Sequence, residues 1–386
     1  MPALEAPPGR TPVLKTMRIA VDAMGGDLAP AAPVAGALRA VQEDGTSVVL
    51  VGDEGHVRAE LRTLGIEGDL PPGLTFQHAE EVVGMDEPAI TPLRKKRRSS
   101  IRLCADLVGA GGADAMVSAG NTGAAMIAAK VGIGLAPGVD RPALAAAVPN
   151  ATGWTVLLDV GANVDLKPNH LRQFAVMGSI YSQVIVGVEK PRVGLLAIGE
   201  EESKGTAFTR EVFRSLESSD LHFVGNVEGS DVFEGTCDVI VCDGFVGNVV
   251  LKSAEALAEM LLHMIREEIG RSPLTRFGGG LCKPAFLRLR ERTHYDQYGG
   301  APLLGLRAGC FIAHGRANPV AVQNAIRRAV AFAGAKAHER ISAKLEELHF
   351  TAEEGKRLDR RMAKTAAGKE AAASGAPSET LGAKAQ

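Results

Sequence analysis

The sequence predicts an α/β protein with a doubly wound, mainly parallel sheet, and three observations carry this prediction. Short runs rich in β-branched residues alternate with longer helical patterns from residue 17 to residue 348, the order expected when each strand is followed by a helix. The runs are almost continuously apolar, as in strands that helices cover on both faces. The chain is 46% hydrophobic but only 4% aromatic and contains 45 glycines, a composition that suits close helix-on-sheet packing.

The strands and helices are predicted in turn along the chain. The predicted strands are Arg18–Asp22, Ser47–Val51, Ala115–Ser118, Thr155–Asp159, Arg192–Ile198, His222–Gly225, Asp238–Cys242 and Cys310–Ala313. The predicted helices are Pro30–Glu43, Ser99–Val108, Thr122–Val131, Asn169–Val184, Thr206–Leu216, Asn248–Ile269 and Pro319–Leu348. The start of the last helix is well marked, because Asn318 is a favoured N-cap and Pro319 is preorganised for the first helical position.

One α/β domain is predicted over residues 17–350, with an amphipathic, basic insertion at 270–298. We expect a disordered leader at 1–16 and a disordered tail at 351–386, because the tail is Lys/Glu-rich and then Ala/Gly/Ser-rich and cannot bury a core. Five cysteines without a CxxC pair indicate reduced thiols. The chain has neither a secretory signal nor an apolar run of the ~18 residues that a membrane span needs, so a cytoplasmic protein is predicted.

Charge and motif content argue against several classes of protein. The formal net charge is -2, so no overall positive field predicts nucleic-acid binding. The first strand is followed by AMGGD rather than GxGxxG, and the sequence contains no P-loop. The nine histidines are scattered, and the loop carboxylates are better interpreted as caps and ion-pair partners than as Mg²⁺ ligands. We therefore predict no metal site.

Six loops at predicted strand ends are rich in glycine and polar residues. They are Asp22–Asp27, Ser118–Gly123, Asp159–Asn163, Gly199–Gly205, Gly225–Asp231 and Asp243–Asn248. In a parallel sheet the carboxyl ends of the strands line the ligand crevice. Glycine lets the backbone approach a ligand, and a helix N-terminus favours an anion. The loops therefore predict one crevice that binds a phosphate-like ligand.

The same segments resemble the bacterial phosphate acyltransferases of the PlsX family over residues 17–345. The resemblance rests on VDAMGGD (21–27), SAGNTGAA (118–125), DRPAL (140–144), LLDVGAN (157–163), GLLAIGEEESKG (194–205), FVGNVEGSD (223–231), CDGFVGNVVLKSAE (242–255) and YGGAPLLG (298–305). It implies conversion of acyl-[acyl carrier protein] and inorganic phosphate into acyl phosphate and free carrier, which feeds phospholipid synthesis. It also implies an α/β/α sandwich similar to isocitrate and isopropylmalate dehydrogenases, working as a homodimer without an organic cofactor.

Matched to the family's motifs, two residues are the predicted catalytic groups. Lys204 would offer a positive charge to phosphate or to the oxyanion, and Asn248 would donate an amide N–H to the developing negative charge. The structural alternatives are a surface loop lysine and a helix N-cap. The predicted phosphate or acyl-phosphate cradle, whose structural alternative is turn geometry and capping, consists of Asp22, Gly25, Gly26, Asp27, Asn121, Thr122, Asp159 and Asn163.

A covalent route through Cys242 is the main alternative mechanism. This cysteine ends an apolar strand and has no histidine near it in sequence, so we interpret it as a buried structural thiol. The predicted mechanism is direct attack of phosphate on the thioester, without an acyl-enzyme.

Two basic segments indicate partners. The run Arg94, Lys95, Lys96, Arg97 and Arg98 is either a docking site for the acidic acyl carrier protein or a solvated turn. In the segment 271–298, Leu274, Phe277, Leu281 and Phe286 lie among arginines and lysines. Together with the amphipathic helix before it, this segment suits an anionic membrane surface or a dimer interface.

Two other functions use the same predicted fold. One is a dehydrogenase of the isopropylmalate type, which would need an adenine site and a metal-bound acidic triad. The other is a non-catalytic acyl-carrier or lipid regulator. Release of free thiol from acyl carrier that depends on added phosphate would distinguish all three.

Overall fold

The computed structural model describes residues 17–293, residues 299–347 and Arg360. The predicted leader, the tail apart from Arg360, and positions 294–298 of the insertion lie outside these residues.

Eleven strands of the described chain form one sheet. They are β1 (Arg18–Asp22), β2 (Ser47–Gly52), β3 (Leu74–His78), β4 (Ala115–Ser118), β5 (Ala143–Pro149), β6 (Trp154–Leu158), β7 (Val193–Leu196), β8 (Phe223–Val227), β9 (Val239–Val241), β10 (Ala301–Leu304) and β11 (Gly309–Ile312). Their order across the sheet is β3-β2-β1-β4-β11-β10-β5-β6-β9-β7-β8.

The sheet consists of two parallel halves that run in opposite directions. Strands β3, β2, β1, β4 and β11 are mutually parallel, as are β6, β9, β7 and β8. Between the halves, β11 pairs with β10, β10 with β5 and β5 with β6, all antiparallel. The carboxyl ends of the two halves therefore lie at opposite edges of the sheet. The glycine-rich loops of the two halves therefore leave the sheet in opposite directions, which the sequence did not predict.

Helices cover both faces of the sheet, as predicted. They are α1 (Ala31–Asp44), α2 (Glu54–Thr63), α3 (Thr91–Arg94), α4 (Ser100–Gly109), α5 (Thr122–Gly132), α6 (Pro168–Tyr181), α7 (Ala207–Glu217), α8 (Asp231–Glu234), α9 (Gly244–Gly270), α10 (Pro273–Thr293), α11 (Pro319–Gly334) and α12 (Ala337–Glu347). A π-helical turn, Ser182–Val186, follows α6. The two apolar layers between sheet and helices are mainly aliphatic, as the low aromatic content predicts. The predicted fold class is confirmed.

Two of the differences from the predicted helix boundaries have a clear physical reason. The predicted helix Pro319–Leu348 is divided into α11 and α12, because Lys336 between them has a φ of 51° in the left-handed region, which ends an α-helix. The predicted helix at Asn248 begins four residues earlier, at Gly244, where the Asp243 side chain accepts a hydrogen bond from the Val246 N–H and caps the helix. Asn248 is therefore inside α9 and is not its N-cap.

Candidate active site

The candidate site is a cavity of about 440 Å³ beneath the first three turns of α9. One face of the helix forms its roof through Gly244, Phe245, Asn248, Leu251, Lys252 and Glu255. These positions recur at the spacing that places residues on one side of an α-helix. Because α9 follows β9 and lies against β6, the cavity lies over the middle of the sheet.

The floor of the cavity is the place where β10 changes partner. Leu303 and Leu304 pair with β5, whereas Ala301 and Pro302 pair with β11. Residues of all three strands line the opening: Leu144, Ala146, Ala147, Ala301 and Ile312. Sequence reasoning missed both β5 and β10, so it did not predict this opening.

The N-terminal turn of α9 packs tightly on the loop that follows β6. The Gly244 N–H donates to the Asn163 carbonyl at 2.7 Å. A Cβ on Gly247 would lie 1.9 Å from the Asp159 carbonyl oxygen, so a side chain at position 247 would push the helix away. This contact sets Asn248 across from Gly161, and the described residues provide no hydrogen-bond partner for the Asn248 side chain. Its amide is thus open to a ligand in the cavity.

Asp159 organises the loop beneath α9 and is fully buried. Its carboxylate accepts from the N–H groups of Leu144, Gly161 and Ala162 at 3.0–3.2 Å. It also accepts from the Asn163 N–H at 2.7 Å and from the Asn163 amide at 2.8 Å. Burial raises the pKa of Asp159, and these hydrogen bonds oppose the shift. Asp159 and Asn163 therefore shape the cavity wall, while neighbouring Val160 and Gly161 face the cavity.

The predicted cradle residues after β1 form a second, compact cluster around Asp22. The Ser118 hydroxyl donates to the Asp22 carboxylate at 2.7 Å, and the Met24 N–H donates at 3.2 Å. Burial raises the pKa of Asp22 against hydrogen bonds from Ser100 and Ser118. A Cβ on Gly25 would lie 2.6 Å from this carboxylate, so the loop closes over Asp22 only with glycine there.

The rest of the cradle lies beside this cluster. Gly26 has a φ of 104°, and the Asp27 N–H donates to the Gly315 carbonyl at 2.7 Å. The Asn121 side chain caps α5 and donates to the carbonyls of Met85 and Glu87 at 2.8 and 2.9 Å. Thr122, the first residue of α5, lines the cavity. Of the predicted cradle residues, Thr122 is thus the one whose side chain the cavity reaches.

Lys204 lies outside this cavity. It is exposed on the loop after β7, where its backbone N–H donates to the Glu201 carbonyl at 2.9 Å. Its ammonium has no ion-pair partner in the part of the chain that the structure describes. Strand β7 is the neighbour of β9, so the Lys204 loop emerges at the same sheet edge as the start of α9. The structure places the two predicted catalytic residues at one edge but does not bring them into one cavity.

Sequence reasoning missed His314, which follows β11 and lines the cavity with Thr122. The Arg316 N–H donates to His314 Nδ1 at 3.2 Å. An imidazole N–H is a donor of the kind that an anion accepts from. The signal for this residue is its place just after a buried strand, in the loop next to the one that contains Thr122, because β11 pairs with β4.

Cys242 is buried beneath α9, and its thiol donates to the Asp159 carbonyl at 3.5 Å. Burial raises the pKa of Cys242 far above the ordinary thiol value, which disfavours the nucleophilic thiolate. Within the described residues, no group of three or more His, Cys, Asp or Glu side chains gathers as a metal site.

The predicted basic docking segment lies around α3. Arg94, Lys95, Arg97 and Arg98 are exposed, although Arg98 pairs with Glu80 at 3.1 Å. Lys96 differs, because its ammonium binds the Val82 carbonyl at 2.6 Å and Glu87 at 2.5 Å. Lys96 therefore fixes the segment to the loop that Asn121 also holds.

The predicted membrane segment lies on α10. Leu274, Phe277 and Leu281 are 80%, 68% and 70% exposed, whereas Phe286 is half-buried. Exposed apolar side chains also continue along α9: Leu257, Met260, Leu261, Met264 and Ile265. Among the helices described, none combines the length and the apolarity needed to cross a bilayer. The pair α9–α10 thus presents a long apolar surface without a covering element among the described residues.

Comparison with solved structures identifies proteins that share this fold. The chain is similar in structure to a phosphotransacetylase from Streptococcus pyogenes (TM-score 0.56, 17% identity, 84% of this chain and 95% of that chain). It is also similar to the EutD phosphotransacetylase from Staphylococcus aureus (TM-score 0.53, 16% identity, 85% and 95%). At this identity the likeness shows a shared α/β fold.

Sequence comparison then identifies the family. The family model described as "Fatty acid synthesis protein" matches residues 17–340. The phosphate acyltransferase of Geotalea uraniireducens is 48% identical over 331 residues, which cover 86% of this chain and 95% of that protein. The phosphate acyltransferase of Geobacter sulfurreducens is 47% identical over 336 residues, with 87% and 96% covered. The chain belongs to the phosphate acyltransferase family of fatty acid synthesis proteins, and it is an acyltransferase rather than a dehydrogenase or a non-catalytic regulator.

Proposed function

We propose that the enzyme transfers a fatty acyl group from the thioester of acyl carrier protein to inorganic phosphate, in the cavity beneath α9. The observation that carries this proposal is an open amide, that of Asn248, on the wall of a largely apolar cavity in a phosphate acyltransferase. A fatty acyl substrate needs both kinds of surface, because its hydrocarbon chain requires an apolar wall and its reacting carbonyl requires a hydrogen-bond donor.

The proposed reaction is a direct displacement. A phosphate oxygen attacks the thioester carbon, and the carbonyl oxygen becomes an oxyanion that accepts a hydrogen bond from the Asn248 amide. The carbon–sulfur bond then breaks, and the carrier leaves as its thiolate, which takes a proton from solvent. The raised pKa of buried Cys242 supports this route over an acyl-enzyme, because a neutral thiol is a poor nucleophile.

The phosphate is proposed to bind at the part of the cavity wall that includes Thr122 and His314. Asp22, Gly25, Gly26, Asp27 and Asn121 shape this part through their internal contacts, and Asp159 with Asn163 shape the part near Asn248. Lys204 is proposed to reach the phosphate or the oxyanion when the loop 199–205 moves toward Asn248, since in its present position it does not line the cavity.

The acyl carrier is proposed to dock on the basic segment around α3, through Arg94, Lys95, Arg97 and Arg98. Acyl carrier proteins are acidic, and charge complementarity mainly raises the rate of encounter. The segment is joined to the rim of the cavity by Lys96, Glu87 and Asn121, and Thr122 follows directly. A carrier held there would have its thioester near the cavity.

The α9–α10 surface is proposed to serve two partners. The more exposed tip on α10, with Leu274, Phe277 and Leu281 among basic side chains, suits an anionic membrane surface. The half-exposed apolar face of α9 suits a second copy of the chain, because an isologous interface pairs the same face from both subunits.

The test of the proposed reaction is the release of free thiol from palmitoyl-acyl carrier protein with and without inorganic phosphate. We expect release that rises with phosphate concentration, without added nucleotide or nicotinamide, and an equal amount of acyl phosphate. Release that is independent of phosphate, or an acyl group trapped on the enzyme in its absence, would contradict direct transfer.

A further inference from the structure

The cavity has a polar and an apolar part. Thr122, Asn248 and His314 supply polar groups along its wall. Between them the floor is made of apolar side chains from β5, β10 and β11, together with Val160 and Leu251. The apolar part thus has the surface that a hydrocarbon chain requires, whereas phosphate requires the polar part.

Small residues keep the floor of the cavity open. Ala146 of β5 and Ala301 of β10 are half-buried, line the cavity and lie on the face of the sheet that α9 covers, in the same apolar layer as Leu251. At most other positions the sheet fills its surface with Val, Leu or Ile. A larger side chain at either position would project into the cavity, which both residues line.

The roof has the length of an extended chain segment. From Gly244 to Glu255, α9 covers the cavity along about 16 Å, at a rise of about 1.5 Å per residue. Leu251 is the aliphatic side chain of this roof that lies between the Asn248 amide and the charged pair of Lys252 and Glu255. An acyl chain whose carbonyl meets Asn248 can therefore lie between the Leu251 side of α9 and the alanine floor.

We propose that Ala146 and Ala301, with Leu251 opposite them, determine which acyl chain lengths the enzyme accepts. This inference rests on the proposed function, because it assigns the apolar part of the cavity to the acyl group of the same reaction. The alanines leave room for the distal methylene groups, and Leu251 contacts them from above.

The effect on rate follows from the loss of buried methylene groups. Leucine has three more carbons than alanine and displaces a similar length of acyl chain. Each methylene group that is no longer buried in the apolar part of the cavity weakens binding of the acyl chain by about fourfold. A long acyl chain should therefore lose at least about tenfold in kcat/KM, whereas a chain too short to reach the alanines should lose less than about twofold.

The experiment measures phosphate-dependent thiol release with a series of acyl carriers from octanoyl to stearoyl. Ala146→Leu and Ala301→Leu should shift the preference toward short chains. Leu251→Ala enlarges the same space and should shift it toward long chains. Ala110→Leu, an exposed alanine at the end of α4, is the matched control and should leave the profile unchanged. Thermal unfolding of each variant checks that it is folded, and Ala301→Val replaces Ala301→Leu if the latter does not fold.

The outcomes separate the two claims. Opposite shifts in the alanine and leucine variants would support the inference. An active wild-type enzyme whose variants show equal changes for every chain length would overturn the inference and leave the proposed reaction intact. A wild-type enzyme without phosphate-dependent release would contradict the proposed function itself, and the inference with it.

Discussion

At the scale of single residues, glycine determines how closely α9 approaches the loop after β6. Gly247 packs against the Asp159 carbonyl with no room for a side chain, and Gly25 does the same over Asp22. Helix α9 ends at Gly270, where an added Cβ would have no other atom within 4 Å. One helix thus contains a glycine that the site requires and one that it does not.

This difference makes a residue-scale prediction. Gly247→Ala should lower the free energy of unfolding by about 1–3 kcal/mol, as expected for overpacking at a close contact. It should also lower kcat, because the displaced helix moves Asn248. Gly270→Ala should leave activity unchanged and stability unchanged or raised by less than ~1 kcal/mol, since alanine is the better helix former. Urea unfolding and the thiol-release assay measure both. A Gly247→Ala enzyme with wild-type stability and rate would contradict the close packing.

Sequence reasoning found some site residues and missed others for physical reasons. Asn248 and Thr122 stand in long glycine-rich motifs after strands, and the cavity wall includes both. His314 and the alanines of β5 were missed, because their role arises from strands that meet far apart in sequence. Lys204 was predicted from a local motif, which carries no information on its distance from Asn248.

At the scale of elements, the predicted strands that were found are the strongly apolar ones. Strand β3 contains polar residues, β5 is mainly alanine, and β10 is short, so none of them had the pattern of a buried strand. The opposite direction of the two halves follows from pairings of β5 and β10. Because those strands were missed, the sequence could predict a mainly parallel sheet but not the separation of its loops into two edges.

The basic segment around α3 makes the element-scale prediction. Arg97→Glu with Arg98→Glu should raise the KM for acyl carrier severalfold and leave kcat close to wild type, because charge complementarity acts on encounter. The difference in KM between this variant and the wild type should become smaller at high salt, because salt screens exposed charges. Arg62→Glu with Lys190→Glu changes the net charge equally at exposed positions elsewhere and is the control. An unchanged KM in the first variant would remove this segment from the carrier interface.

At the scale of the whole molecule, the α9–α10 pair extends the site toward other partners. The first turns of α9 roof the cavity, and the remainder of the same helix carries the exposed apolar face. The proposed second copy would therefore bind to α9, the helix that holds Asn248, and the proposed membrane contact would lie on α10, the next helix along the chain. Under the proposed function, this arrangement would keep the candidate cavity near the proposed membrane contact.

The double variant Phe277→Asp, Leu281→Asp makes the prediction at this scale. It should lose flotation with anionic vesicles, since both exposed apolar side chains become charged, and it should keep the sedimentation and activity of the wild type. Leu64→Asp with Val131→Asp alters exposed apolar residues outside α9–α10 and serves as control. Unchanged flotation would contradict the proposed membrane contact. If the variant sediments as a monomer and the wild type does not, the tip of α10 belongs to a dimer interface instead.

The most direct test of the central claim is the phosphate-dependent thiol-release rate of Asn248→Ala, beside Lys204→Ala and a Val249→Ala control from the next position of α9. If the Asn248 amide stabilises the oxyanion, kcat should fall by about 10²–10³ in Asn248→Ala, with little change in the KM for acyl carrier and none in Val249→Ala. A kcat for Asn248→Ala within about threefold of the wild type, far short of the loss expected for an oxyanion donor, would place the chemistry outside the cavity beneath α9.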